Sequence, residues 1–167
     1  MLKKKTRKPR KTLEQKTTQE LVKVADEWFS KSIRLRDSDF SGDGWYGVCV
    51  SCSYNRKVAY IDETGKLRFC AGWDAGHYVK RGEKVVRFND ENVNLQCKFH
   101  CNKMLSGNVE KYRLALMDKY GAEVPDTLTQ LARDTQYYKF SKPELLEIVH
   151  DSKESIAFYE TQTISSQ

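Results

Sequence analysis

Residues 73–108, WDAGHYVKRGEKVVRFNDENVNLQCKFHCNKMLSGN, decide the fold of this chain. The stretch contains a close cysteine pair, Cys97 and Cys101, that is followed directly by an asparagine. A second pair, Cys49 and Cys52, lies upstream. Four cysteines in two pairs are typical of a closed structural zinc site. The pattern therefore predicts a small core that Zn²⁺ holds together at both ends of the stretch.

The second cysteine pair leaves the fourth zinc ligand open. Three residues separate Cys97 from Cys101, where two are usual, so His100 is an alternative ligand. We favour Cys101. Four thiolates leave no coordination position for a substrate, so the zinc is expected to be structural and not catalytic. The fifth cysteine, Cys70, is expected to be a small buried side chain and not a nucleophile.

Between and beside the cysteine pairs lie side chains of the kinds that bind a divalent cation and activate water. They are Asp74, His77, Asn92 and Asn102. Carboxylate and amide oxygens suit hard cations such as Mg²⁺ or Mn²⁺. A histidine whose second ring nitrogen is held by a neighbour can act as a general base. The set predicts metal-assisted hydrolysis, as in a nuclease.

The composition describes one basic domain with room for tails. The chain has 167 residues, with 29 lysines and arginines against 23 acidic residues and a formal net charge of +6. This excess suits a polyanionic partner such as DNA better than a neutral metabolite. The cysteine count is odd, no signal peptide is visible, and no apolar run approaches the roughly 20 residues that span a bilayer. We therefore expect a cytoplasmic protein without membrane contact, in which paired cysteines bind metal.

Four segments are predicted along the chain. Residues 1–16 form a flexible basic arm, 17–121 the zinc-stabilised domain, 122–160 a C-terminal helical extension, and 161–167 a disordered tail. The cationic arm residues expected to contact DNA phosphates are Lys3, Lys4, Lys5, Arg7, Lys8 and Arg10. A solvated arm that only aids solubility is the alternative.

Local patterns predict helices at both ends of the chain and hairpins between them. Thr17 starts a helix that reaches about Arg36, and Ser141 starts the C-terminal helix, each through a capping box. The other predictions are a loop at 37–47, a hairpin of strands 58–61 and 67–69, a second hairpin of strands 75–79 and 85–88, a helix that ends at Gly121, and a short helix at 127–133. The expected fold class is α+β.

Several short motifs occur together in one order and carry a resemblance to a known family. They are WDAGHY, RFNDENV, QC followed by CN, and SGN with YRLAL. In these motifs the chain resembles the NinG/Rap family of lambdoid phage recombination endonucleases. That family is itself similar to the HNH, or ββα-metal, superfamily, which includes phage endonuclease VII. The resemblance runs from about Trp28 to Gly121 and implies a zinc-stabilised ββα-metal core with flanking N- and C-terminal helices.

The resemblance also implies a role for each site residue. His77 takes the position of the general base, Asn92 ties the loop that supports this base, and Asn102 takes the position of a metal ligand. The four cysteines take the zinc positions. Two departures stand out, since Gly76 occupies a position that often holds a metal-binding side chain, and CKFHC has one extra residue. The metal-binding carboxylate is then expected from Asp74.

The activity implied is that of an endodeoxyribonuclease for branched DNA such as Holliday junctions and D-loops, with 5′-phosphate products. Arg81 and Arg87 are expected to hold phosphates beside the cut. Symmetric cutting of a junction favours a homodimer, with the apolar stripes of the first and last helices as candidate surfaces. A phage-encoded protein would act in the bacterial host cytoplasm. The alternatives are a non-catalytic zinc module that binds DNA and an HNH nicking or restriction nuclease for duplex DNA.

Overall fold

The computed structural model describes residues 11–162, which form a mixed α+β fold with two antiparallel sheets. The elements in chain order are α1 (Thr18–Arg36), β1 (Ser38–Ser41), β2 (Gly44–Val48), β3 (Asn55–Ile61), β4 (Leu67–Phe69), β5 (Trp73–His77), a 3-10 turn (Lys84–Val86), β6 (Val93–Cys97), a π-helix (Lys98–Met104), α2 (Val109–Tyr120), α3 (Val124–Asp134) and α4 (Lys142–Gln162). The predicted arm cations Lys3, Lys4, Lys5, Arg7, Lys8 and Arg10 lie outside the described residues. None of the described helices is both long and apolar enough to cross a membrane.

Both predicted capping boxes are present. The Thr17 hydroxyl accepts a hydrogen bond from the Glu20 N–H, while the Glu20 carboxylate accepts one from the Thr17 N–H. Ser141 and Glu144 make the same reciprocal pair at the start of α4. Each box satisfies backbone donors that a helix start otherwise leaves unpaired. The helix starts are therefore determined locally.

The loop prediction for residues 37–47 is wrong, because this segment forms the hairpin of β1 and β2. Gly42 and Asp43 form the turn between the two strands, with Gly42 in the left-handed region at φ 60°. Trp45 is buried and packs edge-on against Phe40 at 5.0 Å between ring centroids. Together with the predicted hairpin at 58–61 and 67–69, which is confirmed, the two strands make a sheet in the order β1-β2-β3-β4.

The second predicted hairpin has the wrong partner strand. β5 pairs with β6, with Trp73 opposite Cys97 and His77 opposite Val93, while residues 85–88 fall in the 3-10 turn and the coil that follows it. The β6 sequence was misleading because its polar Asn94 and Gln96 are buried among hydrogen-bond partners. Those partners come from distant segments, and sequence alone does not reveal them.

The extra residue between Cys97 and Cys101 is accommodated by the π-helix that follows β6 directly. A π-helix turn holds more residues than an α-helix turn, which absorbs a one-residue insertion. The Cys101 N–H still reaches the Cys97 sulfur at 3.3 Å. The π-helix is followed by α2, which ends at Gly121 as predicted.

The C-terminal helices are packed onto the rest of the fold. Leu21 and Ala25 of α1 form one buried cluster with Leu145 and Val149 of α4. The apolar stripes of α1 and α4 thus cover each other, and their assignment as dimer surfaces is wrong. The short helix begins at Val124, earlier than predicted. α4 continues to Gln162, so the start of the tail predicted to be disordered is helical.

The α1–α4 contact predicts a stability effect with an internal control. Leu145→Ala should lower the free energy of unfolding by about 2–5 kcal/mol, because it leaves a cavity between the helices. Leu145 is 0% exposed, whereas Leu114 on α2 is 59% exposed. Leu114→Ala should therefore change stability by less than about 0.5 kcal/mol. Urea unfolding followed by tryptophan fluorescence measures both; equal effects of the two variants would contradict the packing.

Candidate active site and metal centre

The four predicted zinc cysteines meet at one point between the two sheets. The sulfur atoms of Cys49, Cys52, Cys97 and Cys101 all lie within 4.8 Å of one another. The Cys52 and Cys97 sulfurs are 3.8 Å apart. A tetrahedral Zn²⁺ with Zn–S bonds of about 2.3 Å places its sulfurs about 3.8 Å apart. The cluster therefore has about the size of a tetrahedral zinc site.

A backbone N–H and a side-chain amide donate hydrogen bonds to these sulfurs. The Cys97 N–H donates to the Cys49 sulfur at 3.3 Å, and the Asn108 side-chain amide donates to the Cys101 sulfur at 3.5 Å. His100, the alternative ligand, has its Nδ1 3.7 Å from the Cys101 sulfur and lies outside the four-sulfur group. The arrangement favours Cys101 as the fourth ligand. Cys70 is only half-buried and does not belong to the cluster.

The cysteine thiols differ in how readily they ionise without a metal ion. Burial raises the pKa of the Cys49 thiol to about 11 and also raises the pKa of the Cys101 thiol. Burial also opposes ionisation of Cys52, but the Tyr54 backbone N–H and the neighbouring thiols outweigh it and lower this pKa to about 7. Buried thiolates need a compensating positive charge, which Zn²⁺ supplies. The donor set thus has the chemistry of a structural zinc site.

His77 ends β5 with its ring held in one orientation. Its Nε2 donates a hydrogen bond to the Arg87 carbonyl oxygen at 3.0 Å. Because a carbonyl oxygen can only accept, Nε2 carries the proton and Nδ1 keeps a lone pair. Burial, helped by the positive charge of Arg81, lowers the pKa of His77 to about 4 and outweighs the opposing hydrogen bond. The imidazole is therefore a neutral proton acceptor at neutral pH.

Asn92 closes the long connection between β5 and β6. It is fully buried, and its amide accepts from the Val79 N–H at 2.7 Å and donates to the Val79 and Val86 carbonyls. This three-way link sets the path of the connection from the end of β5 to the residue beside Arg87. Asn92 thus links the two ends of the loop between Val79 and Val86.

Asp74 and Asn102 are brought together by β5 and the π-helix. The Asn102 amide donates to an Asp74 carboxylate oxygen at 2.8 Å, which leaves the amide oxygen of Asn102 available. Asp74 and Gly76 share one strand face, because they are two residues apart. A Cβ at residue 76 would lie 2.5 Å from the Gln96 side-chain oxygen. A carboxylate side chain would therefore not fit at position 76, whereas Asp74 places a carboxylate on the same face of β5.

Asp74, His77 and Arg81 line one cavity of about 400 Å³. The opposite wall is α1, which contributes cations that sequence reasoning missed. They are Lys23, Lys31 and Arg34. Lys23, Lys31 and Arg34 are separated by eight and three residues, a spacing that places them near one face of a helix. This spacing could have been recognised in the sequence. Their distance from the cysteine pairs along the chain concealed it.

Arg87 has a different role from the one predicted. Its guanidinium makes a two-pronged ion pair with Asp26 of α1, at 2.9 Å and 2.5 Å. The pair joins the β5–β6 connection to α1, and the Arg87 carbonyl holds His77. Arg87 thus helps to hold the His77 ring, and its charge is already compensated. Arg81 remains exposed at the cavity.

A family model described as bacteriophage lambda NinG protein matches residues 2–160. The chain belongs to the NinG family. The protein ninG of Escherichia phage lambda is 33% identical over 108 residues, which cover 64% of this chain and 43% of the relative. Those of Salmonella phage P22 and Escherichia phage 933W are each 32% identical over the same shares. The chain thus spans less than half the length of these curated relatives, and their names describe no activity. No solved structure matches the chain.

NinG family membership is thereby established, and with it the origin of the relatives in bacteriophages. A distinct expectation concerns the metal. The fit of the four sulfurs predicts about one zinc ion per chain.

Removal of one zinc ligand should unfold the centre of the protein. Cys49→Ser should lose the bound metal and a large part of the thermal stability, since the cluster joins segments that are far apart in sequence. Elemental analysis and a melting curve measure this. Cys70→Ser is the matched control, because Cys70 lies outside the cluster, and it should keep zinc and melting temperature. A wild-type protein that contains no zinc as purified, or a Cys49→Ser variant that melts like the wild type, would contradict the zinc assignment.

The state of His77 can be measured directly. Nitrogen-15 NMR of the imidazole should show the Nε2–H tautomer at pH 7 and protonation only near pH 4. Since the unfolded chain binds this proton near pH 6.5, the contribution to stability is complete above that pH and is lost as pH falls toward 4. The loss attributable to His77 is on the order of 3 kcal/mol. His77→Asn removes it while keeping the carboxylates; a His77 that titrates between pH 6 and 7 would overturn the assignment.

Proposed function

We propose that the protein is a metal-dependent endodeoxyribonuclease whose ββα-metal core consists of β5, β6 and the π-helix. The observation that carries the proposal is the joint position of a neutral His77 with a free Nδ1 and of Asp74 in one cavity. Asn102 does not line this cavity, but its amide donates a hydrogen bond to Asp74 at 2.8 Å. A purely structural zinc module needs neither a base nor this oxygen pair.

The residues suit phosphodiester hydrolysis. His77 Nδ1 takes a proton from a water molecule, and the water oxygen bonds to phosphorus while the bond from phosphorus to the 3′ oxygen breaks. Asp74 and Asn102 would hold a divalent cation such as Mg²⁺ or Mn²⁺, which would supply positive charge to the reacting phosphate. Arg87 and Asn92 keep the base in place. The products would carry 5′-phosphate ends.

The charge of the cavity favours an anionic substrate. Lys31 pairs with Glu27 at 2.7 Å, and Asp26 pairs with Arg87, so these charges are compensated. Lys23, Arg34 and Arg81 then face the single carboxylate of Asp74. Three positive charges less one negative charge leave +2 before any metal ion binds. A phosphate group is attracted to such a site.

Branched DNA is the proposed substrate, as the family resemblance implies. The π-helix that carries Asn102 also exposes Phe99, at 60%, and Met104, at 76%. Lys103 lies 5.6 Å above the Phe99 ring. An exposed aromatic ring beside a cation can stack on a base that has left its pair, and branch points offer such bases. This feature supports a branched substrate over ordinary duplex.

Two further parts of the proposal concern assembly and place of action. Paired cuts across a four-way junction are most simply made by a homodimer, which must use a surface other than the covered stripes of α1 and α4. The site of action would be the cytoplasm of the bacterial host. A non-catalytic zinc module that binds DNA is the second candidate, favoured by the closed cysteine cluster alone.

The base is tested by separating cleavage from binding. His77→Ala should lower the cleavage rate by about 10² to 10⁴ while DNA affinity stays near that of the wild type. The assay uses Mg²⁺ or Mn²⁺ with labelled four-way junction, flap and linear duplex, and fluorescence anisotropy reports affinity. His150→Ala is the matched control, because His150 is exposed on α4.

The expected order of substrates is junction and flap before linear duplex. Equal cutting of all three by the wild type would favour the duplex nuclease. Cleavage by His77→Ala at the wild-type rate, or a wild type that binds but never cuts, would favour the binding module.

A further inference from the structure

Arg34 is a half-buried arginine that lines the cavity with Asp74 and His77. Its guanidinium stacks on the Phe69 ring at 4.6 Å, and its Nη2 donates to the Cys70 carbonyl at 3.1 Å. The Nε–H is buried and donates to no atom of residues 11–162. A buried donor without an acceptor costs about 1–3 kcal/mol, and more when the group is charged. Arg34 therefore has hydrogen-bonding capacity that the described residues do not use.

Asp74 does not satisfy Arg34. No hydrogen bond joins the two side chains within the described residues. Burial lowers the pKa of Arg34, and the charge of Asp74 opposes this only in part. Asp74 instead accepts from Asn102 and has Lys98 at 3.8 Å. If Asp74 also holds a divalent cation, two positive groups stand side by side. An anion between them would reduce their mutual repulsion.

A phosphodiester under attack is an anion that fits this place. It carries one negative charge before the water oxygen adds and two afterwards, while the planar guanidinium offers parallel donors to its oxygens. Arg34 places one positive charge beside the oxygens on which this negative charge grows. Its interaction with them is therefore stronger in the transition state than in the ground state.

We propose that Arg34 binds a non-bridging oxygen of the scissile phosphate and stabilises the charge that develops there. This inference rests on the proposed nuclease function. Arg34 donates hydrogen bonds and keeps its proton throughout. The water proton goes to His77 Nδ1, and the leaving 3′ oxygen takes a proton from solvent. Phe69 and the Cys70 carbonyl hold the guanidinium in a fixed orientation.

A structural role for Arg34, as a link between α1 and the end of β4, makes different predictions. A lysine can donate to the Cys70 carbonyl and keeps the positive charge, so it would preserve a structural link. It cannot offer the planar pair of donors. If the role were structural, substitution of Arg34 would also lower the melting temperature and the DNA affinity. If Arg34 acts in the transition state, its substitution lowers kcat.

The test compares Arg34→Ala and Arg34→Lys with Arg56→Ala in the zinc-containing protein. Arg56 is exposed on β3 and is not part of the cavity, so its variant controls for the loss of one positive charge. Cleavage of the preferred DNA is measured with Mg²⁺, DNA affinity with Ca²⁺ in place of Mg²⁺, and folding by melting temperature. Cleavage by Arg34→Ala is repeated with millimolar guanidinium chloride and, separately, ammonium chloride.

Arg34→Ala should lower kcat by about 10² to 10³, the usual cost of removing one preorganised donor. Arg34→Lys should lose about tenfold or more, and Arg56→Ala should cut like the wild type. Affinity in Ca²⁺ should change by less than about tenfold, because the interaction forms mainly in the transition state. Guanidinium, which fits the space left by the missing side chain, should restore a substantial part of the cleavage rate of Arg34→Ala. Ammonium should not restore it.

Wild-type kcat in Arg34→Lys would overturn the inference, and it does so even if Arg34→Ala fails to fold. A rate loss in Arg34→Ala that follows its melting temperature and shows no guanidinium rescue would overturn it too. Both results leave the proposed nuclease function intact, since the wild type cuts. A wild type that cuts no DNA would instead refute the nuclease function, and the role of Arg34 with it.

Discussion

The meeting of four cysteine sulfurs between the two sheets is the constraint on which the rest of the structure depends. Cys49 follows β2 of the larger sheet, while Cys97 ends β6 of the smaller one. Cys49, Cys97 and Cys101 lie in a buried cluster with Val58 and Trp73, whereas Cys52 is exposed, and the Val50 N–H bonds to the Leu95 carbonyl beside them. The small sheet of two strands would be marginal alone. A metal ion at this point would fix its position against the larger sheet.

Buried polar side chains then position the residues of the candidate site. The Tyr112 hydroxyl of α2 donates to the Gly76 carbonyl at 2.8 Å, and Asn94 donates to that hydroxyl. Asn92 controls the connection between the strands, and Gln96 binds Ser51 and the Gly107 carbonyl. Removing one partner from such a network costs more than one hydrogen bond, because the remaining groups stay buried. The network makes the site rigid.

The candidate site is completed by α1, which comes before both cysteine pairs in the chain. Asp26 holds Arg87, and Arg36 donates to the carbonyls of Asp90 and Val93. α4 covers the outer apolar face of α1 through Leu145 and its neighbours. The C-terminal helix thus contributes to the site at a distance, because it supports the helix that forms the wall of the cavity. This gives a physical reason for the segment after residue 121 to remain with the core.

The sequence by itself determined the features that depend on neighbouring residues. The capping boxes at Thr17 and Ser141 fixed the helix starts, and the cysteine spacing predicted the metal cluster. The identity of His77 as a candidate base also came from the sequence. These signals are local, or depend on ligand chemistry that few other arrangements satisfy. The pairing of β5 with β6 was decided only in three dimensions, since the polar residues of β6 are buried by partners far away in the chain. The same holds for Arg87 and Arg34: the chemistry of an arginine is fixed by its side chain, but whether it binds a carboxylate, a carbonyl or a substrate depends on which groups the fold places within hydrogen-bond distance.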